Sequence, residues 1–278
     1  MRTHWLLSLC VAALAIQLAA ADVSFTIGDG NRADFVDLNG QIKVYPADQP
    51  TTFIKMKLVR LEEVNATGAV EQAVTNFATE SFTWASPELR LIDGVNATAV
   101  AMRKTMNRQT NTTFGITALV FHKDADTPYG TGTVHVYSRA VKFTVEVEKW
   151  PFKSASNKLR LVAEVLHVGG NSELNGQATA IHSGETRFSF GPGAIDAQEN
   201  SINDGVMTSA SSLVTTTGTT HAVQWTFASF ASTLAYDARI EIVHAEDSDI
   251  GAATAGQTMT CAFAWAVAIA LMAMQRAL

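Results

Sequence analysis

Apolar and polar residues alternate along most of this chain, and this period of two constrains the fold more than any other sequence feature. Clear examples are residues 23–27 (VSFTI), 186–190 (TRFSF) and 238–242 (ARIEI). Successive side chains of a β-strand point to opposite faces, so alternation predicts strands with one buried side. Clusters of Gly, Asn, Asp and Pro separate these segments, as is typical of turns. The pattern predicts an all-β fold, an antiparallel two-sheet sandwich built as one large domain or two small ones.

One internal segment departs from this pattern. Residues 95–106 are rich in Ala, Met, Arg and Lys, which are good helix formers. We therefore expect a short helix there, inside a protein otherwise made of strands.

Two neighbouring segments carry the clearest alternation. Residues 141–148 and 158–165 are both apolar at odd positions and polar at most even ones. An antiparallel pairing that places Glu148 opposite Lys158 makes three of the four outward pairs oppositely charged and lines the other face with apolar residues. Such cross-strand pairs are favourable and fix the register. We therefore predict a hairpin whose loop is residues 149–157.

The predicted loop contains two aromatic residues, Trp150 and Phe152, next to Lys149 and Lys153. One interpretation is an exposed aromatic tip flanked by cations, where Trp150 and Phe152 contact a glycan ring or a lipid headgroup. The other interpretation is that Trp150 folds back as a plug over the sandwich core. We favour the plug, because the apolar face that ends at Val147 needs a cover.

The segment from Phe143 to Val165, with its strand, the tripeptide Trp150-Pro151-Phe152, an asparagine and a second amphipathic strand, resembles part of the skeletal organic matrix family of extracellular proteins. Residues 188–191 (FSFG) and the loop to residue 205 fit the same pattern. The resemblance implies a membrane-attached or matrix surface protein, and no catalytic residues are carried over from it.

Both ends of the chain indicate an extracellular, membrane-attached protein. Residues 1–21 have a short polar head, an apolar stretch and a small-residue exit, as a secretory signal peptide does. The expected organisation is a signal peptide (1–21), a β-sandwich ectodomain (22–245), a spacer of polar and small residues (246–258) and a hydrophobic tail (259–274).

The hydrophobic tail has two interpretations. Small residues at 251–253, a polar spacer and an apolar tail follow the order of a glycolipid-anchor signal, with Gly251 as the expected attachment residue. Alternatively, Arg276 is the cytoplasmic stop of a short transmembrane helix. Both place the protein on the outer face of the plasma membrane, and we favour the lipid anchor.

Three N-glycosylation sequons begin at Asn65, Asn96 and Asn111. Sequons in a secreted chain predict exposed attachment sites. The chain's two cysteines, Cys10 and Cys261, lie in the two predicted removable ends. The ectodomain therefore has no disulfide framework and depends on a hydrophobic core.

Charge argues against nucleic acid as a partner. Without residues 1–21 and 252–278 the chain loses two arginines and no acidic residue, so its formal charge is 18 − 26 = −8. It also has no block of five like charges and no basic stripe along its sequence. Binding to nucleic acid needs such a basic surface. The acidity instead weakly favours cationic partners or divalent ions.

No motif nominates a catalytic, metal or cofactor site. The strongest titratable cluster is His122 with Asp124 and Asp126, in a Pro- and Gly-containing stretch typical of a solvated turn. Loosely spaced oxygen donors offer a weaker calcium alternative that misses the EF-hand pattern: Asp29, Asn31, Asp34, Asp37 and Asn39. We expect no metal site, no cofactor and no enzymatic activity.

The sequence thus predicts a membrane-anchored extracellular glycoprotein that acts in surface contact, adhesion or matrix and coat formation. Its expected partners are the membrane and an extracellular protein or glycan ligand. The alternative is an anchored glycan-binding protein, or a glycan hydrolase that uses a pair of carboxylates brought together by folding.

Overall fold

The computed structural model describes residues 22–36, 40–75, 77, 82–107, 111–129, 132–169, 172–174, 180–195, 201–202, 206–215 and 218–243. The predicted signal peptide, spacer, hydrophobic tail and anchor residue Gly251 lie outside these residues. Among the described residues the helical content is one 3-10 turn, Gly28–Gly30. None of them forms a helix of the length and hydropathy that crossing a membrane requires.

Nineteen strands are present in the described part of the chain. They are β1 (Val23–Thr26), β2 (Arg32–Val36), β3 (Gln41–Tyr45), β4 (Phe53–Val64), β5 (Val70–Val74), β6 (Glu88–Ile92), β7 (Val95–Asn107), β8 (Thr112–Phe121), β9 (Ala125–Tyr129), β10 (Gly132–Val136), β11 (Ala140–Glu148), β12 (Lys158–Val168), β13 (Glu173–Leu174), β14 (Ala180–Ser183), β15 (Thr186–Ile195), β16 (Ser201–Ile202), β17 (Val206–Thr215), β18 (Gly218–Ala228) and β19 (Thr233–Ile242).

These strands form two antiparallel sheets. Sheet A has the order β1-β2-β3-β4-β12-β18-β17, and β5 also pairs with β4. Sheet B has the order β13-β14-β15-β19-β11-β8-β7-β6, and β16 also pairs with β15. The hairpin β9–β10 pairs with neither sheet. The predicted all-β sandwich is confirmed.

The main core lies between the two sheets. It takes apolar side chains from nearly every long strand, and its largest fully buried members include Phe35, Phe114 and Tyr236. Burying a side chain of this kind contributes roughly 1.5–3 kcal/mol. A smaller cluster, with Phe121, Ala125 and Val136 among its members, packs the β9–β10 hairpin onto the outer face of sheet B.

The predicted helix at residues 95–106 is wrong, because this segment is the strand β7. It pairs with β6 on one side and β8 on the other. Val100 and Met102 face the main core, whereas Ala97 packs in the smaller outer cluster. The alternation is present, but small alanines on the outer side hide it. Packing between two strands outweighs the modest helix propensity of Ala and Met.

The predicted hairpin of residues 141–165 is also wrong. Strand β11 pairs with β8 and β19 in sheet B, whereas β12 pairs with β4 and β18 in sheet A. The predicted buried faces are nevertheless correct, since Val141–Val147 and Leu159–Val165 place their odd-numbered side chains in the main core. Alternation specifies which side of a strand is buried but not which strand lies beside it. The connecting residues 149–157 therefore cross from one sheet to the other.

Candidate functional site

Trp150 and Phe152, the candidate ligand contacts, are packed against protein. Trp150 is only 7% exposed and belongs to the main core, so the predicted plug is confirmed. Lys149, at φ +53°, turns the chain immediately before it. Phe152 is partly buried and meets the ring of Phe230 edge-on at a centroid distance of 5.2 Å. The loop therefore has a structural role, because it closes one end of the sandwich core.

A buried carboxylate holds this closure in place. Glu63 is fully buried at the end of the core. Its oxygens accept hydrogen bonds from four donors: Lys153 N (2.8 Å), Asn157 Nδ2 (2.5 Å), Gln72 Nε2 (2.6 Å) and Trp150 Nε1 (3.4 Å). A buried carboxylate is tolerated when its lone pairs are satisfied in this way. Glu63 therefore pins the loop to sheet A.

Two of the cavities lined by described residues are relevant to ligand binding. One, of about 100 Å³, is lined by Val74, Met106, Trp150 and their neighbours. The other, of about 250 Å³, lies at a polar end of the sandwich, where His167 and Thr186 are buried. Pockets for drug-sized ligands usually enclose about 300–1,000 Å³. Both cavities are smaller than that range.

The three sequon asparagines lie in different settings. Asn65 begins a turn, where its Oδ1 accepts bonds from Thr67 N and Oγ1 and its Nδ2 donates to Glu71 Oε1 at 2.7 Å. Asn96 is exposed on β7, and Asn111 is exposed in a turn with φ +56°. Side chains at Asn96 and Asn111 thus reach solvent, as attachment of a glycan requires.

The outer face of sheet B carries a buried ion network. Glu241 is fully buried and lies between Arg187, directly opposite on β15, and Arg239, two residues earlier on β19. Its Oε1 is 2.5 Å from Arg187 Nε and 3.2 Å from Arg239 Nε. Beside this triad, Lys142 Nζ donates to Asp237 Oδ1 at 2.8 Å.

The hairpin β9–β10 covers this network. The Tyr129 hydroxyl donates to Ser189 O at 3.2 Å, and Arg239 donates to His135 O at 2.7 Å. Burial raises the pKa of Tyr129 well above its ordinary value. Lys142 and Asp237 accordingly retain only 6% and 11% side-chain exposure. Buried ion pairs of this kind require close partners, and Glu241 Oε1 has two, whereas its Oε2 makes no hydrogen bond among the described residues.

The outer face of sheet A repeats the triad around another buried glutamate. Glu62 lies between Arg160, directly opposite on β12, and Arg60, two residues earlier on β4. Both arginines reach it at 2.5 Å. The side chains of Arg60 and Arg160 are 38% and 21% exposed, so solvent reaches both arginines, whereas Glu62 between them is buried.

Lysines gather further along the same face. Lys43 on β3 lies directly opposite Lys55 on β4, and Lys57 is the next residue on that side of β4. The pKa of Lys55 is lowered by partial burial and by the positive charges of Lys43 and Lys57. Like charges placed opposite one another are destabilising. This surface therefore holds more positive charge than its own residues neutralise.

Aromatic side chains accompany these cations. The guanidinium of Arg32 lies 4.0 Å from the ring centroid of Tyr45, and Lys43 Nζ is 5.6 Å from that of Phe53. We name the surface formed by Arg32, Lys43, Lys55 and Lys57 the basic face. Asp34 and Glu164 adjoin it, so the local formal charge is 4 − 2 = +2. The exposed-tip interpretation placed cations beside an aromatic ring at Trp150, whereas on this face Arg32 lies beside Tyr45 and Lys43 beside Phe53.

The titratable residues near His122 are arranged differently from the expectation. His135, not His122, lies between the two aspartates, with Nδ1 2.9 Å from Asp126 Oδ1 and Nε2 3.9 Å from Asp124 Oδ2. The hairpin turn brings His135 back beside Asp126, its partner in the β9–β10 register. His122 instead lies 2.9 Å from Thr98 Oγ1.

The candidate calcium donors do not converge where they are described. Asn31 is buried and bonds to Gly28 O and Ala47 N, whereas Asp34 accepts from Ser24 and Arg32 on the sheet surface. Asp37 and Asn39 lie outside the described residues. Within the described ranges, no three His, Cys, Asp or Glu side chains are grouped as metal ligands.

Comparison with known proteins then defines the class. Residues 34–174 match the family model of the acidic skeletal organic matrix protein, about half of the chain. The chain belongs to this acidic skeletal organic matrix protein family, which confirms the resemblance seen around residues 143–165. No curated protein matches the chain. The family is consistent with an extracellular, matrix-related role.

Proposed function

We propose that this protein is a non-catalytic contact protein of the extracellular matrix, held at the outer face of the plasma membrane, that binds an anionic polysaccharide through its basic face. The observation that carries the proposal is the pairing of Lys43 with Lys55, next to Lys57, in a chain whose predicted mature charge is 18 − 26 = −8. A protein of that net charge repels anions unless they meet a local positive patch.

The shape of the basic face suits a linear polymer. Lys43 and Lys55 lie on neighbouring strands, which are about 4.8 Å apart. Arg32 extends the row toward β2, and its guanidinium lies over the buried ring of Tyr45. Repeated sulfate or carboxylate groups can contact several of these cations at once, and a sugar ring can lie against the half-buried Phe53.

The buried carboxylates support the non-catalytic part of the proposal. Glu62 and Glu241 each bind two arginines, Asp237 binds Lys142, and Glu63 holds the loop at Trp150. A glycan hydrolase needs two carboxyl groups facing a substrate across a cleft. These four are engaged in holding strands and loops together.

A binding assay with the full chain tests the proposal. We expect it to bind immobilised heparin, a sulfated polysaccharide, with an affinity that falls as salt rises, because salt screens exposed charges. The double variant K43Q/K55Q should lose most of this binding. The control K123Q/K149Q removes the same charge from two exposed loop lysines and should bind like the unchanged chain.

Equal binding by the two double variants would refute the role of the basic face. Stronger binding to polyglutamate than to heparin would assign the face to an acidic protein instead. The anchor is tested separately by phosphatidylinositol-specific phospholipase C, which should release the protein from cells if Gly251 carries a glycolipid.

A further inference from the structure

The hairpin β6–β7 places a sequon opposite two exposed leucines. Its turn, Asp93 and Gly94, has φ of +48° and +79°, the conformation of a two-residue type I′ turn. In the register that follows, Leu91 faces Asn96 and Leu89 faces Thr98. The two leucines therefore lie on the same side of the sheet as both essential residues of the sequon.

Leu91 with Asn96 and Leu89 with Thr98 are also the cross-strand pairs of this hairpin whose side chains lie closer together. Ile92 and Val95 flank the turn as a hydrogen-bonded pair, so the next pair, Leu91 and Asn96, is of the non-hydrogen-bonded kind. The backbone oxygen of Asn96 accepts from the N–H of His122, just after β8, which agrees with this assignment. Residues in such pairs have Cα atoms about 4.5 Å apart and side chains in contact range.

Leu89 and Leu91 lie on the side of sheet B that faces the core, but beyond the part of that side that sheet A covers. The row across three strands runs from Val120, which is 4% exposed in the main core, through Thr98 to Leu89. Leu89 and Leu91 are nevertheless 67% and 70% exposed. Sheet A therefore covers this row at Val120 and leaves its outer end open.

An exposed apolar residue also lies beside a second sequon. Val70, 49% exposed, is the third large apolar side chain on the described surface. It directly follows Ala69, whose carbonyl accepts the backbone N–H of Asn65 across the turn. Each exposed large apolar residue of the described chain is thus beside a sequon. Asn111, the third sequon residue, has no such neighbour among these residues and is the natural control.

We propose that an N-linked glycan on Asn96 lies down across Leu89 and Leu91 and covers this open end of sheet B. The proposal rests on the sequon being used and is independent of the basic face. Sugar rings present C–H faces that pack on apolar side chains, and their hydroxyls remain in water. The glycan would also screen β6, the last strand of sheet B among the described residues, whose free edge could otherwise pair with a second copy.

Single cysteines in the full chain test this proposal. The variants L91C and R90C place a thiol on opposite faces of the same strand, since Arg90 faces away from Asn96. The chain is made in a eukaryotic secretory host, and maleimide labelling is followed on the peptide that contains residue 90 or 91. Peptide-level detection excludes the native Cys10 and Cys261. We expect glycosidase treatment to speed labelling of L91C several-fold and to leave R90C unchanged.

The controls separate protection by the glycan on Asn96 from protection by a distant glycan or by a second copy. N96Q should reproduce the fast labelling of L91C, whereas N111Q, which removes a distant sequon, should keep the slow rate. Equal labelling of L91C before and after glycan removal would overturn the proposal, as would a mass showing Asn96 unmodified. Protection that persists without the glycan and increases with protein concentration would assign the leucines to a second copy, which also overturns it.

Discussion

The outer faces of the two sheets carry the same arrangement of one glutamate and two arginines, but its surroundings differ between them. Each contains an Arg-x-Glu tripeptide on one strand and an arginine directly opposite the glutamate: residues 60–62 with Arg160 in sheet A, and residues 239–241 with Arg187 in sheet B. In sheet B the hairpin β9–β10 covers the triad, and the neighbouring lysine and aspartate pair with each other. In sheet A the central glutamate is also buried but its arginines are partly exposed, and the lysines of the basic face lie beside it, of which Lys57 pairs with Glu164.

The difference shows that the cover, rather than the tripeptide, decides what the charges do. Under the hairpin, desolvation makes an unpaired charge costly, so charges occur there in close opposite groups. On the open face water reduces both the cost of like charges and the benefit of opposite ones. An open face can therefore keep excess positive charge for a partner, whereas a covered face uses its charges for stability.

The largest expected effect contrasts the two glutamates. Glu241→Gln leaves Arg239, 13% exposed, and Arg187, 24% exposed, without the fully buried carboxylate that neutralises them, and we expect a loss of about 4 kcal/mol in unfolding free energy. Glu62→Gln should cost less, about 2 kcal/mol, because Glu62 is also buried but Arg60 is 38% exposed. Urea denaturation of both variants measures the difference. Equal losses would mean that the hairpin does not change the energetics of the triad.

The second contrast removes one lysine from each face. Lys142→Gln leaves the buried carboxylate of Asp237 without its cation and should cost about 3 kcal/mol. Lys55→Gln instead relieves repulsion from Lys43 and Lys57 and should stabilise the fold by about 0.5 kcal/mol. Thermal unfolding should therefore shift in opposite directions. A loss of stability in Lys55→Gln would show that its aliphatic chain, not its charge, dominates at that position.

The third prediction concerns alkaline pH. Burial raises the pKa of Tyr129, so the folded state keeps the phenol proton when the unfolded chain has lost it. Stability is then fully present below pH 10, the ordinary pKa, and falls as pH rises above it. Tyr129→Phe should flatten part of this fall. Denaturation midpoints between about pH 9 and 11 test it, and parallel curves for the two proteins would exclude a titrating Tyr129.

Much of the fold could be predicted from the alternation, because that pattern follows from which side of each strand is buried. The odd-numbered faces of β11 and β12 were predicted correctly. Their pairing was not, since Glu148 and Lys158 only look complementary when the rest of the sheet is unknown. In the structure Glu148 pairs with Arg103 on another strand. Opposite charges on amphipathic strands are common enough that several registers satisfy them.

Only part of the basic face could be predicted from the sequence. Lys55 and Lys57 are two residues apart, so their shared face was predictable. Lys43 joins them only through the pairing of β3 with β4, which no local pattern encodes. The repeated Arg-x-Glu tripeptides, residues 60–62 and 239–241, were a visible signal that was missed. Their opposing arginines, however, come from strands more than fifty residues away in one case and nearly a hundred in the other.

The smallest expected effect lies at the rim of the covered triad, at His182 on β14. This residue is directly opposite Arg187. Partial burial, and then the positive charge of Arg187, lowers the pKa of His182, while Glu241 opposes the shift. The unfolded chain therefore takes up this proton before the folded chain does, so stability is fully present above pH 6.5 and declines as pH falls from there toward the lowered pKa.

His182→Gln should remove this acid-side slope with little change at neutral pH. His122→Gln is the matched control, because His122 follows β8 and contacts β7, far from the triad in the strand order of sheet B. Denaturation midpoints at about pH 7, 6 and 5 measure the effect. Because the shift at His182 depends on Arg187 and Glu241, Glu241→Gln should steepen the slope. A slope that is unaffected by either substitution would mean that the covered triad and its rim are electrostatically separate.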